Sequence, residues 1–293
     1  MTPLPGLRDA VGVAGPTCVL LDALTFAEGP RWRDGKLWFS EMHRERVMTV
    51  DLAGRSEVVA EVPGRPSGLG WDPEGRLLMV SMTDRRLLRL DAGGLTEVAD
   101  LSPLASFHCN DMVVDARGRA YVGHFGSDYE HEPPKPAELI CVEPDGAARV
   151  VARDLRFPNG LVLTPDGRTL IAAESFAGCL TAFDVAEDGS LGQRRLWAQL
   201  PAGAYPDGIC LDAEGAIWAA ATVARAVLRM REGGEVVDRV PTPGLAIACM
   251  LGGPDGKTLF LCSAESSVRD ECRAKATARI EIARAEVPHA GLP

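Results

Sequence analysis

Six residues stand at matching positions in six copies of one short pattern: Glu28, Ser67, Asn110, Asn159, Asp207 and Ala248. Each lies eight residues before a turn glycine, or seven in the first copy, whose turn is one residue shorter. Four of them, Glu28, Asn110, Asn159 and Asp207, carry side-chain oxygen donors. Two carboxylates and two amides converging from separate strands suit a hard divalent cation, whose double positive charge offsets the two carboxylates. Asn-Gly and Asp-Gly are also strong hairpin-turn dipeptides, which accounts for Asn159 or Asp207 taken singly. A turn role gives no reason for Glu28, nor for oxygen-bearing residues at four matching positions of otherwise apolar strands. The column as a whole therefore reads as a ring of metal ligands.

The elements that must position this ring follow from the repeat. Each copy holds a turn, an apolar run, a second turn and another apolar run, as in YPDGICLDAEGAIWAAA. The second-turn glycines are Gly35, Gly75, Gly118, Gly167, Gly215 and Gly256, spaced by 40, 43, 49, 48 and 41 residues. A period in this range built from short strands means propeller blades, four-stranded sheets that bury their faces only against their neighbours. The fold class is all-β, a six-bladed β-propeller. The first strand of every blade lines the central channel, so the column forms a ring at one end of it. A strand over 17–23 precedes the first inner strand, and one clear strand, over 278–287, follows the last copy. Pairing of these N- and C-terminal strands in the last blade closes the circle without a free seam. Uninterrupted repeats leave room for a single domain over 1–293, with 1–15, rich in Pro and Gly, as a loosely ordered lead-in.

Composition narrows the partners. The formal net charge is −10, and Lys and Arg are scattered rather than clustered, which excludes nucleic acid and anionic membrane as expected partners and leaves a small-molecule substrate. The eight cysteines contain no CxxC pair and fall mostly in apolar strand runs, so no disulfide framework is expected. No stretch approaches a membrane span and the first residues lack a secretory pattern, so a cytoplasmic location is expected. Oligomeric state is left open.

Three segments depart from the repeat. Residues 124–138, HFGSDYEHEPPKPAE, form a long polar insert, either a lid over the channel mouth or an exposed loop without a role. Residues 266–277 read as a polar loop in the last blade. Residues 102–109 lead into Asn110 and should deliver His108 near the ring.

With these features in place the chain resembles the gluconolactonase and regucalcin (senescence marker protein) family of six-bladed propellers, related to diisopropyl fluorophosphatase. The resemblance runs roughly from residue 18 to 287. It is carried by EGP at 28–30, ND at Asn110 and Asp111, PNG at 158–160 and PDG at 206–208. It implies one divalent metal ion held by Glu28, Asn159 and Asp207, with Asn110 a fourth ligand or a substrate contact. Two departures bear on substrate. The family's sugar-acid lactonases carry Arg two residues before the Asn, where this chain has His108, and the family's ND is normally followed by Gly, where this chain has Met112. An acidic substrate contact falls on Asp128 or Glu130. These changes point to a substrate less polar than gluconolactone.

The expected activity is hydrolysis of a lactone, from a sugar lactone to a less polar lactone or ester, by a metal-activated water, with Asp207 as the catalytic proton acceptor. Alternatives are a phosphotriesterase-like hydrolase, a non-hydrolytic Lewis-acid enzyme, and a non-catalytic metal-stabilised binding propeller. Oxygen-only ligands favour Ca²⁺, with Mg²⁺, Mn²⁺, Zn²⁺ and Fe²⁺ as other candidates.

Overall fold

The hairpin turns are closed by their own side chains. In the fifth copy Asp212 Oδ1 accepts hydrogen bonds from the backbone N–H groups of Glu214 and Ala216 at 2.9 and 3.1 Å, and Gly215 takes φ 77°. The same left-handed conformation, open to glycine without a steric cost, recurs at Gly35, Gly75, Gly118, Gly167 and Gly256 with φ between 67° and 84°. The glycines that align the copies are thus turn glycines in all six.

The computed structural model describes residues 12–13 and 16–293. They form six sheets arranged as a six-bladed β-propeller, each beginning with an inner strand: Ala27–Arg33, Pro66–Trp71, Cys109–Val114, Pro158–Leu163, Pro206–Leu211 and Leu245–Gly252 in blades one to six. Each chain segment then meanders outward through antiparallel partners. The inner strands of blades three and four are buried at every residue, while outer strands such as Ser56–Glu61 are largely exposed. This gradient explains why inner strands are continuous apolar runs and outer ones are rich in charge.

Blade six is completed across the chain ends. Cys18–Leu24 pairs antiparallel with Ala278–Arg284, Cys18 opposite Ile282 and Leu24 opposite Ala278, which is the closure expected from the sequence. The lead-in expected over 1–15 lies outside the described residues except for Gly12–Val13. That pair adds a parallel strand to the outer edge of blade five, Gly12 opposite Asp238.

Two of the departing segments acquire definite structure. Residues 125–136 form a loop between the second and third strands of blade three. His124 anchors it, with Nδ1 accepting from the Gly126 N–H at 3.1 Å and Nε2 2.9 Å from Glu138 Oε2. Ser106 Oγ also donates to the Gly126 carbonyl at 2.6 Å. The stretch read as a polar loop in blade six instead contains a helix, Arg269–Lys275. Asp270 and Glu271 in its first turn and Arg273 and Lys275 in its last complement the helix dipole, a signal stronger than the polarity that suggested a loop.

The inner strands share an irregularity. In every blade the pairing of the first strand with the second slips at or beside the column residue: between Glu28 and Arg31, Pro66 and Leu69, Cys109 and Met112, Pro158 and Leu161, Pro206 and Ile209, and Ala246 and Ala248. A bulge re-aims the side chain it carries. These bulges put the polar side chains at the strand entrance on the channel side, while the residues after them return to the apolar packing between blades.

Candidate active site

One cavity of about 640 Å³ opens at the end of the channel where the inner strands begin. Its floor carries Glu28, Asn110, Asn159 and Asp207 from blades one, three, four and five. Ser67, the blade-two member, stays beside the floor, its Oγ 3.5 Å from Asn110 Oδ1. In blade six the bulge holds Ile247, which lines the cavity in place of Ala248. Counting eight residues from Gly256 missed it because the blade-six hairpin places its bulge one residue farther from the turn. Ala248 instead sits against Gly208, where a Cβ added to that glycine would meet the Ala248 Cβ at 2.5 Å.

Neighbouring bonds orient both amides. Asn110 Nδ2 donates to the Pro158 carbonyl at 3.2 Å, and Asn159 Nδ2 donates to Ser175 Oγ at 3.2 Å, whose hydroxyl is tied in turn to the Pro206 carbonyl at 2.7 Å. With their N–H groups engaged, the amides present oxygen to the floor. Asn159 Oδ1 and Asp207 Oδ1 are enclosed and have no hydrogen-bond partner, and Glu28 Oε2 accepts from the Gly29 N–H at 2.6 Å. Buried polar atoms are normally paired. Unpaired oxygens on two adjacent blades, beside the Glu28 carboxylate, fit a hard divalent cation. Glu28, Asn159 and Asp207 could hold it, with Asn110 beside them.

The charges agree with this. Burial raises the Glu28 carboxyl well above the usual range, and the carboxylates of Asp207 and Asp111 add to it, against the Gly29 N–H and Arg31. Burial likewise pushes Asp207 up to about 8, Asp111 contributing, against hydrogen bonds from Asn159, Glu28 and Thr222. Carboxylates crowded in this way accept either protons or a cation. Asp111 itself lies below the floor and pairs with Arg31 at 2.8 Å.

The remaining residues singled out in the sequence divide. His108, Asp128 and Glu130 line the cavity, Asp128 also holding His131 Nδ1 at 2.9 Å. Met112 does not. Its side chain is fully buried with Val114, Val122 and Leu78 between blades two and three, because it follows the bulge and strand alternation turns it from the channel. The bearing on substrate read from Met112 in the sequence is therefore withdrawn. Cys109 is likewise buried away from the channel, its thiol pushed up to about 12 by burial. The 124–138 insert is part of the cavity wall, contributing Phe125, Asp128, Tyr129, Glu130 and His131, and Ser267 to Asp270 border it from blade six.

Sequence reading missed the apolar wall. Phe125 stacks on Phe157 with ring centroids 4.4 Å apart, Phe157 lies 4.7 Å from Phe176, Tyr129 lies edge-on to both, and Phe107 stacks on His108 at 4.0 Å. A second column would have found part of it. The residues two before the floor positions are Phe26, Arg65, His108, Phe157 and Tyr205, and all five line the cavity as a tier above the oxygen donors.

Residues 26–265 match the family model described as "SMP-30/Gluconolactonase/LRE-like region". The chain belongs to this family. Within it, the chain is 26% identical to a 6-deoxy-6-sulfogluconolactonase of Pseudomonas putida over 85% of this chain and 87% of that one. It is 26% identical to regucalcin of Danio rerio, over 88% and 89% of the two chains. Among solved structures, a calcium-binding protein, regucalcin, from Agrobacterium tumefaciens superposes with TM-score 0.77 at 23% identity, covering 96% of this chain and 99% of that one. That similarity extends the family's six-bladed fold to the whole of the described ring. No helix among the described residues is long and apolar enough to cross a membrane.

Proposed function

We propose that this family member is a divalent-metal-dependent hydrolase of lactones, with a substrate less polar than a sugar lactone. One observation carries the reading: Glu28, Asn110, Asn159 and Asp207 meet at one cavity floor, with Asn159 Oδ1 and Asp207 Oδ1 enclosed and unpaired. The lactonase named among its relatives supplies the reaction class.

Glu28, Asn159 and Asp207 would hold the ion, Ca²⁺ first among the candidates given the oxygen-only donors. When bound, the ion supplies Lewis acidity toward a carbonyl oxygen and lowers the pKa of a water. Asp207 would receive the proton of the attacking water at the carboxylate oxygen not spent on the ion. Asn110, fixed by the Pro158 carbonyl, directs its oxygen at the floor and orients the substrate's polar edge. Phe125, Phe157 and Phe176 exclude water and seat an apolar substituent, a surface ill-suited to a polyhydroxylated sugar.

The test is turnover of a lactone panel, from sugar-acid lactones to aryl-substituted and plain aliphatic ones. Metal-stripped protein, each divalent ion restored in turn, and Asp207→Ala would be compared. Metal-dependent turnover that favours the apolar lactones and is absent in the variant is expected. Tight metal binding with no lactone hydrolysed would overturn the reading.

A further inference from the structure

The tier above the floor contains one cation. Arg65 precedes the inner strand of blade two, as His108 does in blade three and Phe157 in blade four. It is half-buried, lines the cavity, and holds φ 63°, a left-handed conformation uncommon for a residue with a long side chain. Among the described residues its guanidinium makes no hydrogen bond and no ion pair, unlike most arginines of this chain. Burying such a charge without a partner is costly.

A second observation points to the same place. Arg269, from the blade-six helix, also lines the cavity, and the two guanidiniums are close enough for their like charges to oppose one another. Arg269 has one partner, Glu45 at 2.5 Å, while its Nε is buried and unpaired. The unpaired Arg65 fork and the buried Arg269 Nε over one cavity are complementary to a single oxyanion, with the Glu45 and Glu130 carboxylates offsetting part of the charge. The wall formed by Phe125, Tyr129, Phe157 and Phe176 comes from blades three and four, whereas Arg65 and Arg269 come from blades two and six. Apolar and cationic contacts are therefore both present above a floor of oxygen donors.

We infer that Arg65 anchors an oxyanion on the substrate, carboxylate, sulfonate or phosphate, at a point remote from the reacting carbonyl. The substrate class is then a lactone or ester with an apolar body and an anionic arm. The reaction part of this statement rests on the hydrolase reading above; the anion anchor does not.

The experiment separates the two by measuring binding instead of turnover. Calorimetric titration of the metal-loaded protein would use 3-phenylpropane-1-sulfonate, a weak metal ligand, and the neutral 3-phenylpropionamide. The sulfonate is expected to bind about tenfold or more tightly than the amide. In Arg65→Met that ratio falls to about one, and in Arg65→Lys, which keeps the charge but not the fork, it is intermediate. Equal binding of the two probes by the wild type, or a ratio that survives in Arg65→Met, would overturn the proposal. Retained sulfonate preference in a protein that hydrolyses nothing would keep the anchor and discard the reaction. Hydrolysis without sulfonate preference would do the reverse.

Discussion

Arg31 Nη2 stands 2.8 Å from Asp111 Oδ1, with the two side chains only 3% and 5% exposed. The same guanidinium donates to the Met112 carbonyl at 2.7 Å, the Leu69 carbonyl at 3.0 Å and the Pro30 carbonyl at 2.9 Å. One arginine of blade one thus ties blades two and three together directly below the cavity floor. It also offsets part of the Asp111 charge that raises Glu28 and Asp207.

Replacing Arg31 by Met would leave Asp111 buried without its countercharge, at a cost of about 3–5 kcal/mol in denaturant unfolding. The double replacement Arg31→Met with Asp111→Leu is expected to recover much of that loss. A single variant no less stable than wild type would show that the pair does not hold the blades together.

Metal-free stability should fall on the alkaline side. Asp207 is raised to about 8 from an ordinary 3.8, so between those pH values the folded state holds a proton that the unfolded state has released. Stability from this group is complete below 3.8 and is lost as pH climbs through about 8. On the metal-dependent reading proposed above, a divalent ion would replace the proton, and its stabilising effect should grow over the same interval. Thermal melting of stripped protein from pH 6 to 9 should show the decline, and Asp207→Asn should flatten it. A wild-type curve that is flat without metal would contradict the crowding of carboxylates described for the floor.

How much of this was legible in the sequence can be traced residue by residue. Gly215 and its five counterparts announced the blades because a left-handed turn position strongly favours glycine, and Glu28, Asn110, Asn159 and Asp207 stood out as polar residues in apolar strands. Ala248 was counted into the ring in place of Ile247, and Met112 was read as bearing on the substrate, because a bulge inserts a residue without leaving a mark in composition. Arg31 passed unnoticed since its partners lie on other blades. Part of the aromatic wall was hidden for a similar reason: Phe125 and Phe176 follow second strands of their blades in segments of irregular length, whereas Phe157 stands in an aligned column that went unread.

Acid should unsettle the protein through His43. Its ring lies 5.0 Å from Phe26, is 5% exposed and has both nitrogens unpaired. Burial, aided by the Arg65 charge, depresses its pKa to about 4 from 6.5. As pH falls from 6.5 to 4 the unfolded chain takes a proton that the folded one refuses, so stability drops by up to about 3 kcal/mol across that window. His43→Phe should shallow the acid limb of a urea midpoint measured against pH. An unchanged limb would mean that His43 protonates in place.

Gly208 offers a test of how strictly the floor is positioned. It follows Asp207 inside the blade-five bulge, and an added Cβ would lie 2.5 Å from the Ala248 Cβ and 2.7 Å from its Cα. Backbone stands in the way, so the inner strands of blades five and six must separate to admit a methyl group. Gly208→Ala is expected to cost about 1–3 kcal/mol, as overpacked cores do. Because the strand that shifts carries Asp207, metal affinity should fall as well, by at least tenfold if the carboxylate moves by a fraction of its coordination distance. Calorimetric metal titration of the folded variant would decide the matter. Unchanged affinity in a destabilised Gly208→Ala would show that Asp207 reaches its position independently of the strand spacing.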